Sequence, residues 1–211
     1  MVLAGQFLER PTLIPVGDLV LEGVAHRSTR AGAHLLVLPP ASQEGGGMDH
    51  VVGAELAWAA AREGCGVLRF NYRGVGASQG ERGDARTRLD DAAAAWQLAR
   101  ENALGRAPVI AAIGEASSET ALALAAANPD SPLVVLLGAT GIPAAALKAV
   151  RAGVLLVIPD SLERAVGAPL RQRAEASAGV VEIADCDPNW NRNLPEVGKA
   201  VVQALRRLPS G

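Results

Sequence analysis

The sequence predicts an α/β fold in which a mainly parallel sheet carries helices on both faces. Short apolar runs alternate with longer segments of helical periodicity along nearly the whole chain, as they do where parallel strands are joined by helices. Hydrophobic residues make up 49% of the 211 residues, and most of them are Ala, Val and Leu. This composition is typical of buried strands packed under alanine-rich helices.

The chain opens with a predicted antiparallel hairpin. Residues 10–15 and 19–26 are expected to form two short strands, with residues 16–18 as the turn between them. Pro11 and Pro15 place the first of these strands at a sheet edge, because proline cannot donate a hydrogen bond to a neighbouring strand.

The next part of the chain alternates strand and helix. A continuous apolar run over residues 33–39 predicts a buried strand. Apolar residues at helical spacing then predict a helix over residues 48–63, which ends at Gly64. Residues 67–71 form a second apolar run, and residues 84–104 mix apolar and charged positions as an amphipathic helix does.

The second half of the chain repeats this alternation. Uninterrupted apolar runs predict further strands at 108–114, 133–137, 154–159 and 179–184. Helical spacing predicts helices at 119–128, 143–150, 169–177 and 196–208. Because no linker, repeat or lid-sized insertion interrupts this order, one domain is expected to span residues 1–211.

Composition excludes several classes of function. A net charge of −2 and an aromatic content of 3% argue against a nucleic-acid-binding surface. No apolar run reaches the roughly 18 residues that cross a bilayer, and the N-terminus lacks a signal-peptide pattern, so a cytoplasmic protein without a membrane partner is expected. Cys65 and Cys186 lie far apart without metal-ligand spacing, so they are interpreted as buried thiols, and no metal or cofactor is predicted.

A glycine-rich loop follows the strand at residues 67–71. It reads NYRGVGASQG over residues 71–80, and its glycines allow sharp turns at positive φ. Ligands of open α/β sheets bind beyond the carboxyl ends of the strands, so this loop is expected to border any pocket. Its spacing alone favours a tight connection between strand and helix over a functional role.

This loop resembles the NxRGxGxSxG segment of small α/β-hydrolases, especially compact bacterial ones without a lid domain. Residues 10–15 with 21–23 resemble the opening hairpin of that family, and residues 38–40 with 45–52 resemble its HPHP…GGxMDNxVV segment. The resemblance implies an α/β-hydrolase fold over nearly the whole chain, with no lid domain.

The resemblance locates the nucleophile of the family on residues 114–118. A GxSxG turn there would carry a serine between small residues, but its central position is Ala116, whose methyl group cannot attack a carbonyl. Ser117 and Ser118 are weak substitutes because at least one bulkier residue would flank each of them. Both serines are expected to cap N–H groups at the start of a helix.

The resemblance also implies a histidine after the last strand. This chain has its three histidines at positions 26, 34 and 50, and the matching tail carries Pro188 in or near the place of the histidine. His50 is expected to lie at a helix start as a surface or capping residue, while His26 and His34 are interpreted as structural. Asp160 is a weak candidate for the acid.

The resemblance implies that the backbone of an oxyanion hole is kept, with Pro39-Pro40 and the glycine loop on one side and the Ser117 N–H on the other. Its N–H donors could hold a carboxylate or phosphate even where no reaction occurs. The predicted pocket rim is Pro39, Pro40, Gly46, Arg73, Gly74, Ser117 and Pro188.

Two hypotheses of different classes follow. The first is a catalytically degenerate α/β-hydrolase-fold protein that acts as a binding, partner-recognition or regulatory module, with a protein partner or second copy and possibly a small carboxylate or ester ligand. The alternative is a serine esterase or thioesterase with an unusual pair, Ser118 and His50. A third reading, non-serine chemistry at Cys186 or Asp187, rests on position alone.

Overall fold

Eight strands form one sheet in the computed structural model, which describes residues 8–28 and 33–208. The strand order is β1-β2-β4-β3-β5-β6-β7-β8; β2 pairs antiparallel with β1 and β4, and the other neighbours are parallel. The strands are β1 Arg10–Val16, β2 Leu19–His26, β3 His34–Leu38, β4 Gly66–Phe70, β5 Val109–Ile113, β6 Leu133–Leu137, β7 Gly153–Pro159 and β8 Gly179–Ile183.

Helices cover both faces of this sheet, as predicted. Helices α1 and α6 pack on one face, and α2 to α5 pack on the other, where Trp96 is fully buried. The helices are α1 Val51–Arg62, α2 Ala85–Asn102, α3 Glu115–Ala127, α4 Ala144–Lys148, α5 Ala168–Glu175 and α6 Leu194–Arg206. Short 3-10 turns occupy Ser42–Glu44 and Asp160–Ala165.

The predicted elements are all present, with one notable shift. Helix α3 begins at Glu115, directly after β5, and not at residue 119. The chain can enter the helix this early because Gly114 adopts a φ of 82°, which turns the backbone within one residue.

The parallel strands bring three loops together at the carboxyl ends of the strands. The carboxyl ends of β3, β4 and β5 lead into residues 39–50, residues 71–84 and Gly114. The sequence predicts a pocket at these strand ends.

The structure also bears on the two cysteines and on the expected lack of a membrane-spanning segment. Cys186 is buried, whereas Cys65 is only half-buried, and neither forms a disulfide. Across residues 8–28 and 33–208, every helix is too short or too polar to cross a bilayer.

Candidate functional site

The glycine-rich loop is braced by hydrogen bonds to the opening hairpin. Asn71 accepts from the Met48 N–H at 2.7 Å and donates to Glu22 Oε2 at 2.9 Å. Ser78 Oγ donates to the Asn71 carbonyl at 2.8 Å and accepts from the Glu22 N–H at 2.9 Å. A Cβ at Gly76 would lie 2.6 Å from Glu22 Oε2, so only glycine fits there. The polar residues of this motif therefore hold the loop in shape.

Arg73 anchors the same loop to helix α2. The fully buried Asp91 carboxylate accepts from the Arg73 N–H at 2.9 Å and from its guanidinium at 2.6 and 2.9 Å. This pairing raises the pKa of Arg73 above its ordinary value. Arg73 thus has a structural partner on α2.

The sharp turn after β5 lies at Gly114, two residues before the position that the sequence indicated. Gly114 has a positive φ, whereas Ala116 lies inside the first turn of α3. In a strand–nucleophile–helix turn the strained residue is the one that presents its side chain above the sheet. The sequence expectation placed the nucleophile position of the family at Ala116, whereas the residue with a positive φ is Gly114, which has no side chain.

The carboxylate of Glu44 lies against this turn. Glu44 Oε1 accepts a hydrogen bond from the Ala116 N–H at 3.2 Å, at the N-terminal end of α3. A Cβ built on Gly114 would collide with Glu44 Oε2. Glu44 therefore occupies the space into which a side chain at position 114 would project, and it accepts from a backbone N–H at the start of α3.

The Glu115 carboxylate ties the same turn to the loop after β6. It accepts hydrogen bonds from the N–H groups of Thr140 at 2.8 Å and Gly141 at 2.9 Å. Backbone donors on both sides of the turn are thus bonded to acidic side chains of this chain.

The two serines of the first α3 turn are buried and donate to carbonyl groups. Ser117 Oγ donates to Pro39 O at 2.5 Å and lies 3.4 Å from the Tyr72 hydroxyl. Ser118 Oγ donates to Gly114 O at 2.6 Å. Both side chains are fully buried. The expectation that they cap free N–H groups is therefore wrong, since each hydroxyl acts as a donor towards the main chain.

His50 caps helix α1, in line with the sequence interpretation. Its Nδ1 accepts from the Val52 N–H at 3.3 Å, and burial lowers the pKa of the imidazole. His26 lies at the end of β2 and His34 at the start of β3. Both are therefore at the opposite ends of the strands from Gly114.

Asp160 links the ends of β7 and β8. Its carboxylate accepts from the N–H groups of Asp185 at 2.8 Å and Cys186 at 3.2 Å, which hold the pKa of the Asp160 carboxyl below its usual range. In the following loop Pro188 is exposed, and Trp190 is buried with its ring 3.3 Å from a Cβ position at Gly138.

The predicted pocket rim divides between the interior and the surface. Pro39, Pro40 and Ser117 are buried. A Cβ at Gly46 would collide with the Pro40 carbonyl oxygen, and one at Gly74 would lie 2.5 Å from the Arg82 nitrogen, so both glycines are closely packed.

Two cavities lie away from these residues. A groove of about 240 Å³ runs between α1 and α6, and a cavity of about 900 Å³ lies beside the hairpin and the C-terminal end of α2. The residues lining these two cavities include none of the predicted rim residues.

Glu44 and Glu115 are the site residues that the sequence reasoning missed. Glu44 belongs to a polar loop before three glycines, and Glu115 is a charged residue within the segment that resembles the nucleophile turn. Both reach their partners across more than 20 residues of chain, so no local pattern marks them.

Comparison with solved structures shows that the chain has the fold of lid-less α/β serine hydrolases. A lid-less α/β serine hydrolase from Xanthomonas campestris is 22% identical, with a TM-score of 0.73 and 94% of each chain covered. An α/β serine hydrolase homologue from Coxiella burnetii is 19% identical, with a TM-score of 0.77, and covers 95% of this chain and 97% of its own. A dienelactone hydrolase from Anabaena variabilis is 17% identical, with a TM-score of 0.72, and covers 94% and 96%.

These identities describe a shared fold. No protein-family model matches the chain, and no curated protein matches it. The α/β-hydrolase fold predicted from the sequence is confirmed by the sheet topology and by these structures.

Proposed function

We propose that this chain is an α/β-hydrolase-fold protein that does not hydrolyse esters and works by binding a partner. One observation carries the proposal: the sharp turn after β5 is made by Gly114, at a φ of 82°. Serine hydrolysis in this fold needs a hydroxyl at that turn, and a glycine offers no nucleophile.

In this proposal the chain also lacks a side chain suited to accept the proton of a serine nucleophile. A serine nucleophile needs an imidazole that accepts its proton, and no histidine follows His50 in the sequence. The carboxylate of Asp160 is engaged by backbone N–H groups at the ends of two strands. This arrangement supports a structural role for Asp160.

The alternative pair, Ser118 and His50, is not supported by the geometry. Ser118 is fully buried and donates to Gly114 O, and the Nδ1 of His50 accepts from Val52. An ester carbonyl would have to enter the interior to meet this hydroxyl.

The position of Glu44 also supports the proposal, because it concerns the space that a substrate would need. Its carboxylate lies in the space above Gly114 and accepts from the Ala116 N–H at the N-terminal end of α3. A small carboxylate or ester ligand at this position would have to displace it, so a protein partner is the form of binding that we favour.

The first test is hydrolysis of a short-chain aryl ester together with labelling by a fluorophosphonate probe. We expect neither turnover above the buffer rate nor labelling of the wild-type protein. Turnover that Ser118→Ala abolishes would overturn the proposal in favour of the esterase.

A matched set of variants separates the missing groups. Gly114→Ser is expected to remain inactive because no base is present and Glu44 crowds the new side chain. Adding Glu44→Ala to Gly114→Ser removes the crowding but should still give no turnover. Circular dichroism controls for folding, and substantial activity of either folded variant would contradict the assignment.

A further inference from the structure

The two edge strands of the sheet, β1 and β8, differ in the hydrogen-bonding groups that their main chains present on the side facing away from the sheet. In β1, alternate residues face β2, and the pairing of Val16 with Leu19 across the tight turn sets this alternation. The outward-facing residues are therefore Pro11, Leu13 and Pro15. Because the two prolines have no N–H, this edge is a poor template for another strand.

Strand β8 has no such protection. Ala178 N donates to Val154 O at 3.2 Å, and Val180 pairs with Leu156 in the parallel register. Alternate residues of a strand hydrogen-bond to the same neighbour, so the N–H and C=O groups of Val180 and Glu182 face β7. The N–H and C=O groups of the residues between and beside them face away from the sheet: Gly179, Val181 and Ile183. Within residues 8–28 and 33–208, no other segment forms a hydrogen bond to these outer groups.

The side chains of β8 are also incompletely covered. Every residue of the central strands β4, β5 and β6 is buried, whereas Val180 and Val181 are only half-buried. Helix α6 lies mainly against α1 and makes few contacts with β8. The edge thus presents apolar side chains next to unpaired main-chain donors and acceptors, and it carries no proline, lysine or bulge.

We propose that β8 pairs with β8 of a second copy of this chain, antiparallel and centred on Val181, so that the sheet continues across a two-fold axis. A two-fold axis at Val181 places the outward groups of Gly179 opposite those of Ile183 in the second copy, and Val181 opposite itself. All the outward main-chain groups then find partners in one register, which is the self-complementarity that an isologous interface needs.

The charges of the edge fit a second copy. Glu182, the charged residue of β8, would lie opposite Val180 of the second copy and not opposite another glutamate. Arg171 of α5 already pairs with Glu182 at 3.2 Å, so each copy brings a neutralised carboxylate to the interface. Like charges directly opposite each other, which destabilise strand pairs, are thereby avoided.

The expected dimer is weak. Five residues of strand bury less than the roughly 1,200 Å² of a standard stable interface, so association should depend on concentration in the micromolar range. The inference does not depend on whether the chain hydrolyses esters, because β8 lies away from Gly114 at the far edge of the sheet.

Sedimentation of the full chain from low to high micromolar concentration tests the proposal. We expect the weight-average mass to rise from monomer towards dimer with concentration. Val181→Lys puts two positive charges at the axis and should weaken association at least about tenfold. The matched control is Leu13→Lys, which places the same charge on the exposed face of the other edge strand and should leave association unchanged.

A second variant and a second readout keep the test sharp. Val181→Pro removes an outward N–H without removing a β7 bond, so it should remain folded by circular dichroism and be monomeric. Amide exchange at Val181 and Ile183 should slow as the wild-type protein is concentrated. A wild-type protein that stays monomeric throughout, equal association of Val181→Lys, or an edge that captures extended peptides without self-association would overturn the proposal.

Discussion

Gly114 turns the chain from β5 into α3 with a φ of 82° and a ψ of 174°, a backbone conformation that is nearly restricted to glycine and would cost another residue about 1–3 kcal/mol. In the nucleophile turn of serine hydrolases with this fold, the serine itself bears that strain. Here glycine adopts the turn without strain, and the freed space is taken by the Glu44 carboxylate. The residue type at position 114 therefore determines what can pack against the turn.

His26 illustrates how burial of a single residue sets a pH dependence. The residue is 7% exposed, its Nδ1 has no hydrogen-bond partner among residues 8–28 and 33–208, and burial lowers the pKa of the imidazole below the ordinary 6.5. Glu9 partly offsets this shift and Arg69 adds to it. The unfolded chain therefore takes up the proton more readily than the folded chain as the pH falls below about 6.5.

We expect this difference to destabilise the protein in mild acid. The free energy of unfolding should fall as the pH drops from 7 to 5, and His26 should contribute at most about 1.4 kcal/mol per pH unit. Urea unfolding of wild type and His26→Asn at several pH values measures the contribution as a difference in slope. A variant with the wild-type slope would show that His26 does not titrate in this window.

At the scale of elements, helices α1 and α6 approach closely through a glycine. A Cβ at Gly198 of α6 would lie 2.9 Å from Ala59 Cβ and collide with Glu55 Oε1, both on α1. Gly53, on α1 itself, faces β5, and a Cβ there would lie 3.6 Å from Ile113 Cδ1, an ordinary contact. Two buried helical glycines thus differ in the room around them.

These glycines should respond oppositely to alanine. Alanine in a helix is favoured over glycine by about 1 kcal/mol, so Gly53→Ala is expected to stabilise the protein by up to that amount. Gly198→Ala gains the same propensity but must separate two helices, and overpacking costs about 1–3 kcal/mol. We expect a net loss of stability for Gly198→Ala, measured by urea unfolding. Equal stabilisation by both variants would mean that α1 and α6 separate easily.

At the scale of the whole molecule, the sheet has one protected edge and one open edge. Pro11 and Pro15 were interpreted from the sequence as edge residues, and β1 does lie at the edge of the sheet. Their positions in the hairpin register explain the protection, because each removes an outward N–H.

Replacing both prolines should expose the β1 edge. The double variant Pro11→Thr, Pro15→Thr keeps the hairpin bonds to β2 and restores two outward donors. We expect light scattering to detect concentration-dependent aggregation of this variant under conditions where the wild type stays clear. A variant with unchanged scattering would show that the edge is guarded by something other than proline.

The sequence by itself determined the order of strands and helices, the antiparallel opening and the edge position of β1. Apolar periodicity and proline report on local burial and hydrogen bonding, and both are readable in a short window. The glycine-rich loop was also recognised from its residues. The absence of any histidine after His50 is likewise a property of the sequence.

Only the tertiary structure decided which residue makes the sharp turn after β5 and what lies against it. The sequence pointed to Ala116, because spacing among small residues does not reveal which of them has a positive φ, and the structure places the turn at Gly114. The contact of Glu44 with the Ala116 N–H joins residues 72 positions apart. Such contacts arise when parallel strands bring distant loops to one edge of the sheet, and no local pattern encodes them.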